Sequence, residues 1–226
     1  MGPGDQSSTG IAGYSAQREH QRRHTARRER AKARYGPVGT LIASVTANPA
    51  TIQAWQQGAG GEIATARELA RRLRRSDVIV IHDRRIPGRG RANIDHLAVG
   101  PGGVTVIDTK SSRGEVQIVT AGVLHRREQL LVNGRDRTGQ LDAVERQIAA
   151  VTRALDRHGV GGAGVLGALC YPYMRRGWLH YGRAREGLIT VDDPRHIARV
   201  ANRPGPISPS EIEQLADALI RSFPAA

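Results

Sequence analysis

The chain has 226 residues, room for one domain with a tail or two small domains, and enough to bury a core without disulfide or metal staples. A composition 39% hydrophobic and 24% charged excludes wholesale disorder, and no run approaches the ~20 apolar residues of a membrane-spanning helix. With 34 Lys+Arg against 21 Asp+Glu, the net charge is +13, which points to a polyanionic partner, nucleic acid ahead of a membrane surface.

The polar start, Met1 to Gln6, does not read as a signal peptide. Cys170 is the single cysteine, so no intrachain disulfide forms and a reducing, cytoplasmic setting is expected. Residues 1–35 are expected to form a basic arm, disordered or helical when docked on phosphates, carrying Arg18, Arg22, Arg23, Arg27, Arg28, Arg30, Lys32 and Arg34. His20 and His24 stand at i,i+4 without an acidic or cysteine partner nearby, which argues against a metal site there. Residues 36–57 read as a linker, 58–200 as the main domain and 201–226 as a C-terminal capping helix.

Within the main domain, a helix is predicted over Gly60–Arg75 with Ala66, Leu69 and Leu73 as its apolar stripe. Strands follow at Asp77–His82, Asn93–Val99, Val104–Lys110, Glu115–Thr120 and Val123–Leu131. A second helix runs from Leu141 to His158, then strands at Val165–Cys170 and Gly187–Val191. Asp192-Asp193-Pro194 reads as a turn or a helix start. The last helix begins at Ser210, capped by it with Glu213 three residues on. This order gives an α/β (α+β) domain built on one mixed sheet flanked by helices. Gly159, Gly161 and Gly164 match GxGxxG, but a helix precedes them and a strand follows. That is the reverse of a dinucleotide loop, so they read as a connection.

The chemistry concentrates around Gly100-Pro101-Gly102-Gly103, a strong turn signal between two strands. A hairpin symmetric about Pro101 and Gly102 sets Val99 against Val104, Leu97 against Val106, Asp95 against Asp108 and Asn93 against Lys110. Opposed residues have Cβ atoms ~4.5–5.5 Å apart, where like charges destabilise the pair. Two carboxylates at that distance repel by about 3 kcal/mol at an effective dielectric of ~20. A shared proton, a cation or an edge position bathed in water would offset it, and a divalent metal is the economical choice. Of the chain's basic residues only Lys32 and Lys110 are lysines. A compact ammonium beside Asp108 can hold a water or an anionic oxygen in a way a guanidinium does not. Glu62 lies in line with Ala66, Leu69 and Leu73, which aims a third acid at the sheet. Arg67, Arg71 and Arg74 of the same helix, with Arg18, Arg22, Arg23, Arg27 and Arg28 of the arm, are the candidate phosphate contacts. Cys170, in an apolar strand, reads as a packing residue, as do Tyr171 and Tyr173 after it.

Gly58-x-x-Gly61-Glu62, Ile86-Pro87-Gly88, Asn93-Ile94-Asp95-His96, Gly100-Pro101-Gly102-Gly103-Val104 and Ile107-Asp108-Thr109-Lys110 together resemble the NERD (nuclease-related) domain of the PD-(D/E)xK nuclease superfamily. The resemblance is clear over Gly58–Gly114 and extends to about Leu155. It implies a restriction-endonuclease-like αβββαβ core and phosphodiester hydrolysis of nucleic acid, with DNA the expected substrate and Mg²⁺ (or Mn²⁺) the cofactor. It also implies the roles of the site residues: Asp95, Asp108 and Glu62 as the metal-binding acids, Lys110 as the motif lysine, and Gln147, with Gln140 as runner-up, as the glutamine of the later helix. Asp108 stands where glutamate is frequent, and the tryptophan common after the lysine strand is missing around Val123–Leu124. The alternative function is a catalytically silent nucleic-acid-binding module using the same basic surface.

Overall fold

The computed structural model describes residues 60–88, 92–121, 127–175 and 182–225. The expected arm, with Arg18, Arg22, Arg23, Arg27 and Arg28, and the 36–57 linker lie outside the described residues. Helix α1 (Gly60–Leu73) opens the described chain. The strands β1 (Ile79–Arg85), β2 (Asn93–Gly100) and β3 (Gly103–Thr109) follow it. A small antiparallel sheet of β4 (Val116–Ala121), β5 (Arg127–Val132) and β6 (Arg135–Asp136) precedes α2 (Gly139–Arg157). Then come β7 (Val165–Cys170), β8 (Gly182–Ala184), β9 (Ile189–Asp192), α3 (Pro194–Ala201) and α4 (Pro209–Ser222).

The main sheet has the order β1-β2-β3-β7-β9-β8. Strands β1 to β3 are antiparallel, β3, β7 and β9 run parallel, and β8 turns back on β9. All seven residues of β3 are buried, as expected of the strand where the antiparallel and parallel halves join. One face packs Leu97, Val99, Val104, Val106 and Leu169 against α2 and α4 residues such as Leu141, Val144, Ile212 and Leu219. The other packs Ala98, Ile107, Ala168 and Cys170 against Leu69 and Leu73 of α1 and Ile197, Ala198 and Ala201 of α3. The result is a mixed sheet between two helical layers, compatible with a restriction-endonuclease-like core.

The β2–β3 turn forms where the glycines and proline place it. Gly103 has φ +112 and a Cβ there would collide with the Gly164 carbonyl, so a side chain is excluded twice over. The first strand begins later than the sequence suggests, at Ile79 rather than Asp77, because Ser76 closes α1 by donating through its hydroxyl to Leu73 O at 2.8 Å. It also runs on through Asp83-Arg84-Arg85, since partners are present on both edges. Ile94 and Asn93 pair with Arg84 and Arg85 on one side, while Arg84 bridges to Ala225 and Arg85 N–H donates to Pro224 O at 2.9 Å on the other. The strand expected at Gly187–Val191 starts at Ile189 because Gly187, at φ +90, belongs to the turn after β8. Helix α3 grows from the Asp192-Asp193-Pro194 signal. The Asp193 side chain accepts from Arg195 and His196 N–H at 2.9 and 3.0 Å, and Pro194 fits the first turn. Helix α4 starts earlier than expected. Its N-cap is Ser208, not Ser210, and its box partner is Glu211, not Glu213, because Pro209 presets the helical φ directly after Ser208. The Gly159–Gly164 segment links α2 to β7 and opens no helix, as its sequence context required.

Candidate active site

Because β2 and β3 are antiparallel, the start of one lies beside the end of the other, and this brings Asp95 to Asp108. The register is the expected one: His96 pairs Ile107, Leu97 pairs Val106 and Val99 pairs Val104. Two expected pairings are corrected. The ladder stops one pair short of Asp95 and Asp108, and Asn93 pairs with Arg85 of β1 rather than with Lys110. Opposed carboxylates disfavour continuing the ladder. Instead the Asp95 carboxylate takes over as acceptor, receiving the Thr109 N–H on Oδ2 at 2.7 Å. Lys110 N–H then donates to Cys170 O at 2.8 Å, which fixes the lysine backbone to β7.

The electrostatics follow from this crowding. Burial, then Asp108 and Glu62, push the Asp95 carboxyl up to about 7, against the opposing pull of the Thr109 amide and Lys110. Glu62, half-buried at the start of α1, is also raised, by burial first and then by Asp83 and Asp108, with Lys110 acting the other way. Lys110 Nζ lies 2.6 Å from Asp108 Oδ2. That contact is an ion pair without hydrogen-bond alignment, so the buried Oδ2 has no hydrogen-bond partner. Gln147 is buried on α2 and donates through Nε2 to Asn93 O at 3.2 Å, while its buried Oε1 has no hydrogen-bond partner. Gln140, the runner-up, is engaged elsewhere: its Oε1 accepts the Tyr171 hydroxyl.

Two features were not read from the sequence. Asp83 lies where β1 passes Asp95, in a left-handed conformation (φ 48), and its charge reaches Glu62. The Ile81-His82-Asp83 run looks like an ordinary strand end, and only the pairing of β1 with β2 locates it. Tyr173, expected to pack, instead donates its hydroxyl to Gly60 O at 2.6 Å, and Arg113 stacks on its ring with Cζ 4.9 Å from the centroid.

Around the acids the other candidates sort clearly. His96 is buried, and its Nδ1 lies 2.8 Å from Nδ1 of His82. Burial pushes His82 down to about 4 and His96 well below its ordinary range, so the pair is neutral. Cys170 is buried, and burial pushes its thiol up to about 12 against the lowering effect of the hydrogen bond with Thr65 Oγ1 at 3.4 Å, which makes it inert as a nucleophile. Arg67 and Arg71 are exposed on α1 and Arg74 in the turn after it, rather than all on the helix as expected, and Arg71 is tied to Glu68 at 2.7 Å.

The donor set suits a hard cation. Mg²⁺ is ordinarily held by one or two carboxylates and keeps several waters. Asp95 and Asp108 supply two carboxylates of that kind, with Asp108 Oδ2 facing the Lys110 ammonium. Among the described residues no group of three or more His, Cys, Asp or Glu is arranged to hold a metal ion, and the Glu62 charge is one of those that raise the Asp95 carboxyl.

Among the described residues no helix is long and apolar enough to cross a membrane. No curated protein and no solved structure matches the chain. Residues 57–172, just over half of the chain, match the nuclease-related domain, and they run from the approach to α1 through the two-acid hairpin and the lysine to the end of β7. Because that match spans more than half of the chain, the chain belongs to the NERD (nuclease-related domain) family.

Proposed function

We propose that the protein hydrolyses phosphodiester bonds in nucleic acid, DNA in the first instance, at a divalent-metal site built on Asp95 and Asp108. The observation that carries this reading is the convergence of the half-buried Asp95 and the buried Asp108 with an ammonium: Asp95 raised to about 7 and Lys110 at 2.6 Å from Asp108. Groups so perturbed in one place are more often functional than structural. When bound there, Mg²⁺ (or Mn²⁺) would polarise the phosphoryl oxygen and ease ionisation of the attacking water. Lys110, its backbone fixed by Cys170 O, orients that water or meets the charge that develops on the phosphoryl oxygens. Glu62 adds negative charge from α1, with its own carboxyl raised by burial and by the neighbouring acids Asp83 and Asp108. Gln147 positions rather than reacts: by holding Asn93 O it fixes the start of β2, two residues before Asp95. Arg67 and Arg74 lie exposed to meet backbone phosphates without reading sequence.

A second reading, the silent binding module, draws on the Lys110–Asp108 contact itself, since an ammonium at 2.6 Å already neutralises one of the acids. Incubation of purified protein with plasmid and with single-stranded DNA, in Mg²⁺ or Mn²⁺, separates the two. The nuclease reading requires cleavage by wild type and its loss in Lys110→Ala. Wild-type cleavage no better than that of Lys110→Ala refutes it. Calorimetric titration with Mn²⁺ against Asp95→Asn then reports the metal site directly.

A further inference from the structure

We propose that Arg113, held in place by Tyr173, grips a backbone phosphate of the nucleic acid within a few nucleotides of the bond at the Asp95–Asp108–Lys110 site. The position relative to the cut bond rests on the nuclease reading; the phosphate grip does not.

The argument starts from the backbone between Lys110 and Glu115. Loops without secondary structure are usually loosely held. Here the main chain is tied at both ends of the segment. Lys110 N–H donates to Cys170 O at 2.8 Å, and Arg175 N–H donates to Gly114 O at 2.9 Å beside a parallel bridge between Gly114 and Met174. Asn133 Nδ2 donates to Arg113 O at 2.7 Å, and Asn133 Oδ1 accepts the Glu115 N–H at 3.0 Å. Gly114 has φ +110, and a Cβ there would collide with the Asn133 side chain, so the clamp leaves room only for glycine.

The side chains do the opposite. Ser111, Ser112 and Arg113 are all exposed, so this anchoring buries none of them. A rigid backbone that presents only polar and cationic groups to solvent is preorganised for a ligand, which lowers the entropic cost of binding. Tyr173 adds the same property to the long Arg113 side chain. Its ring lies under the guanidinium, and its hydroxyl is fixed by Gly60 O at the start of α1, the helix that carries Glu62. A stacked guanidinium keeps its edge donors for a planar or tetrahedral oxyanion. Three residues of backbone span at most about 10 Å, so a strand lying over Lys110 passes within side-chain reach of Arg113.

The test is equilibrium binding of fluorescein-labelled DNA, duplex and single-stranded, by anisotropy in EDTA across a series of salt concentrations. Arg113→Gln is expected to weaken binding and to lower the slope of log K against log salt by about 0.9 for duplex or 0.7 for single strand, the signature of one lost phosphate contact. Arg113→Lys is expected to keep the slope, and Tyr173→Leu to weaken binding with the arginine still present. Thermal midpoints of the Arg113 variants are expected to equal wild type, which a merely structural role would not allow. An Arg113→Gln slope and affinity equal to wild type, or no salt-dependent binding by wild type, overturns the proposal. Cleavage is measured in parallel. A protein that cuts nothing but loses binding in Arg113→Gln retains the grip and discards the nuclease reading; one that cuts normally with an unchanged slope does the reverse.

Discussion

Replacing Asp95 by Asn is expected to stabilise the metal-free protein, and to do so in a pH-dependent way. The carboxyl moves from an ordinary 3.8 to about 7 on folding, chiefly because it is buried and faces Asp108. A raised acid contributes no penalty below its unfolded value, a growing one as pH rises, and the full penalty above its folded value. At about 1.4 kcal/mol per pH unit, ionising Asp95 costs the fold roughly 1 kcal/mol near pH 4.5 and about 4 kcal/mol near pH 8. Asparagine keeps the shape and can still accept the Thr109 N–H, but it carries no charge. Urea unfolding in EDTA across that range is expected to show Asp95→Asn gaining on wild type as pH rises, with equal m-values. Glu62 and Asp108 push Asp95 up by their charge, so the difference reads the loss of one acid from this coupled group. A variant less stable than wild type near pH 8, or a difference that does not change with pH, refutes the burial and charge argument for this site.

Removing the ammonium acts the other way. Lys110→Met leaves the buried Asp108 carboxylate without its ion-pair partner and is expected to lower stability by about 1–3 kcal/mol at neutral pH in EDTA, as read by chemical unfolding. Gly114→Ala forces a side chain into a left-handed position against Asn133, with an expected loss of about 1–3 kcal/mol and faster amide exchange at Glu115 and Arg175. Ser208→Ala removes the capping box of α4 and is expected to cost about 1 kcal/mol, measured as a lower thermal midpoint.

What the sequence revealed was what is local. Helix α1, the hairpin turn and β7 are written in short-range periodicity and in glycine and proline placement, and they came out close to where they were expected. The register from His96 to Gly100 followed from the turn alone. The ladder's end did not, because whether Asp95 pairs across the hairpin or turns to the Thr109 amide depends on the charge it meets there. Asp83 was invisible for a related reason: only the pairing of β1 with β2, set by tertiary packing, carries it to the site. Strand β8 is three residues long with a glycine in it, and α3 is one short amphipathic stretch behind a turn signal, so neither had enough periodicity to register. Tyr173 was read as a packing residue because nothing nearby in sequence hints that its hydroxyl reaches Gly60, more than a hundred positions away.

The lateral boundary of the main sheet has its own consequence. An uncovered outer strand offers a row of amide and carbonyl groups on which another chain can build. Strand β1 is such a strand, and the contacts of Arg84 with Ala225 and of Arg85 with Pro224 occupy it with the protein's own backbone. Residues that lie well past the family's shared segment thus guard against oligomerisation through β1. Removing Pro224 and Ala225 while keeping Phe223 is expected to uncover this edge and promote self-association, read as an apparent mass that rises with concentration.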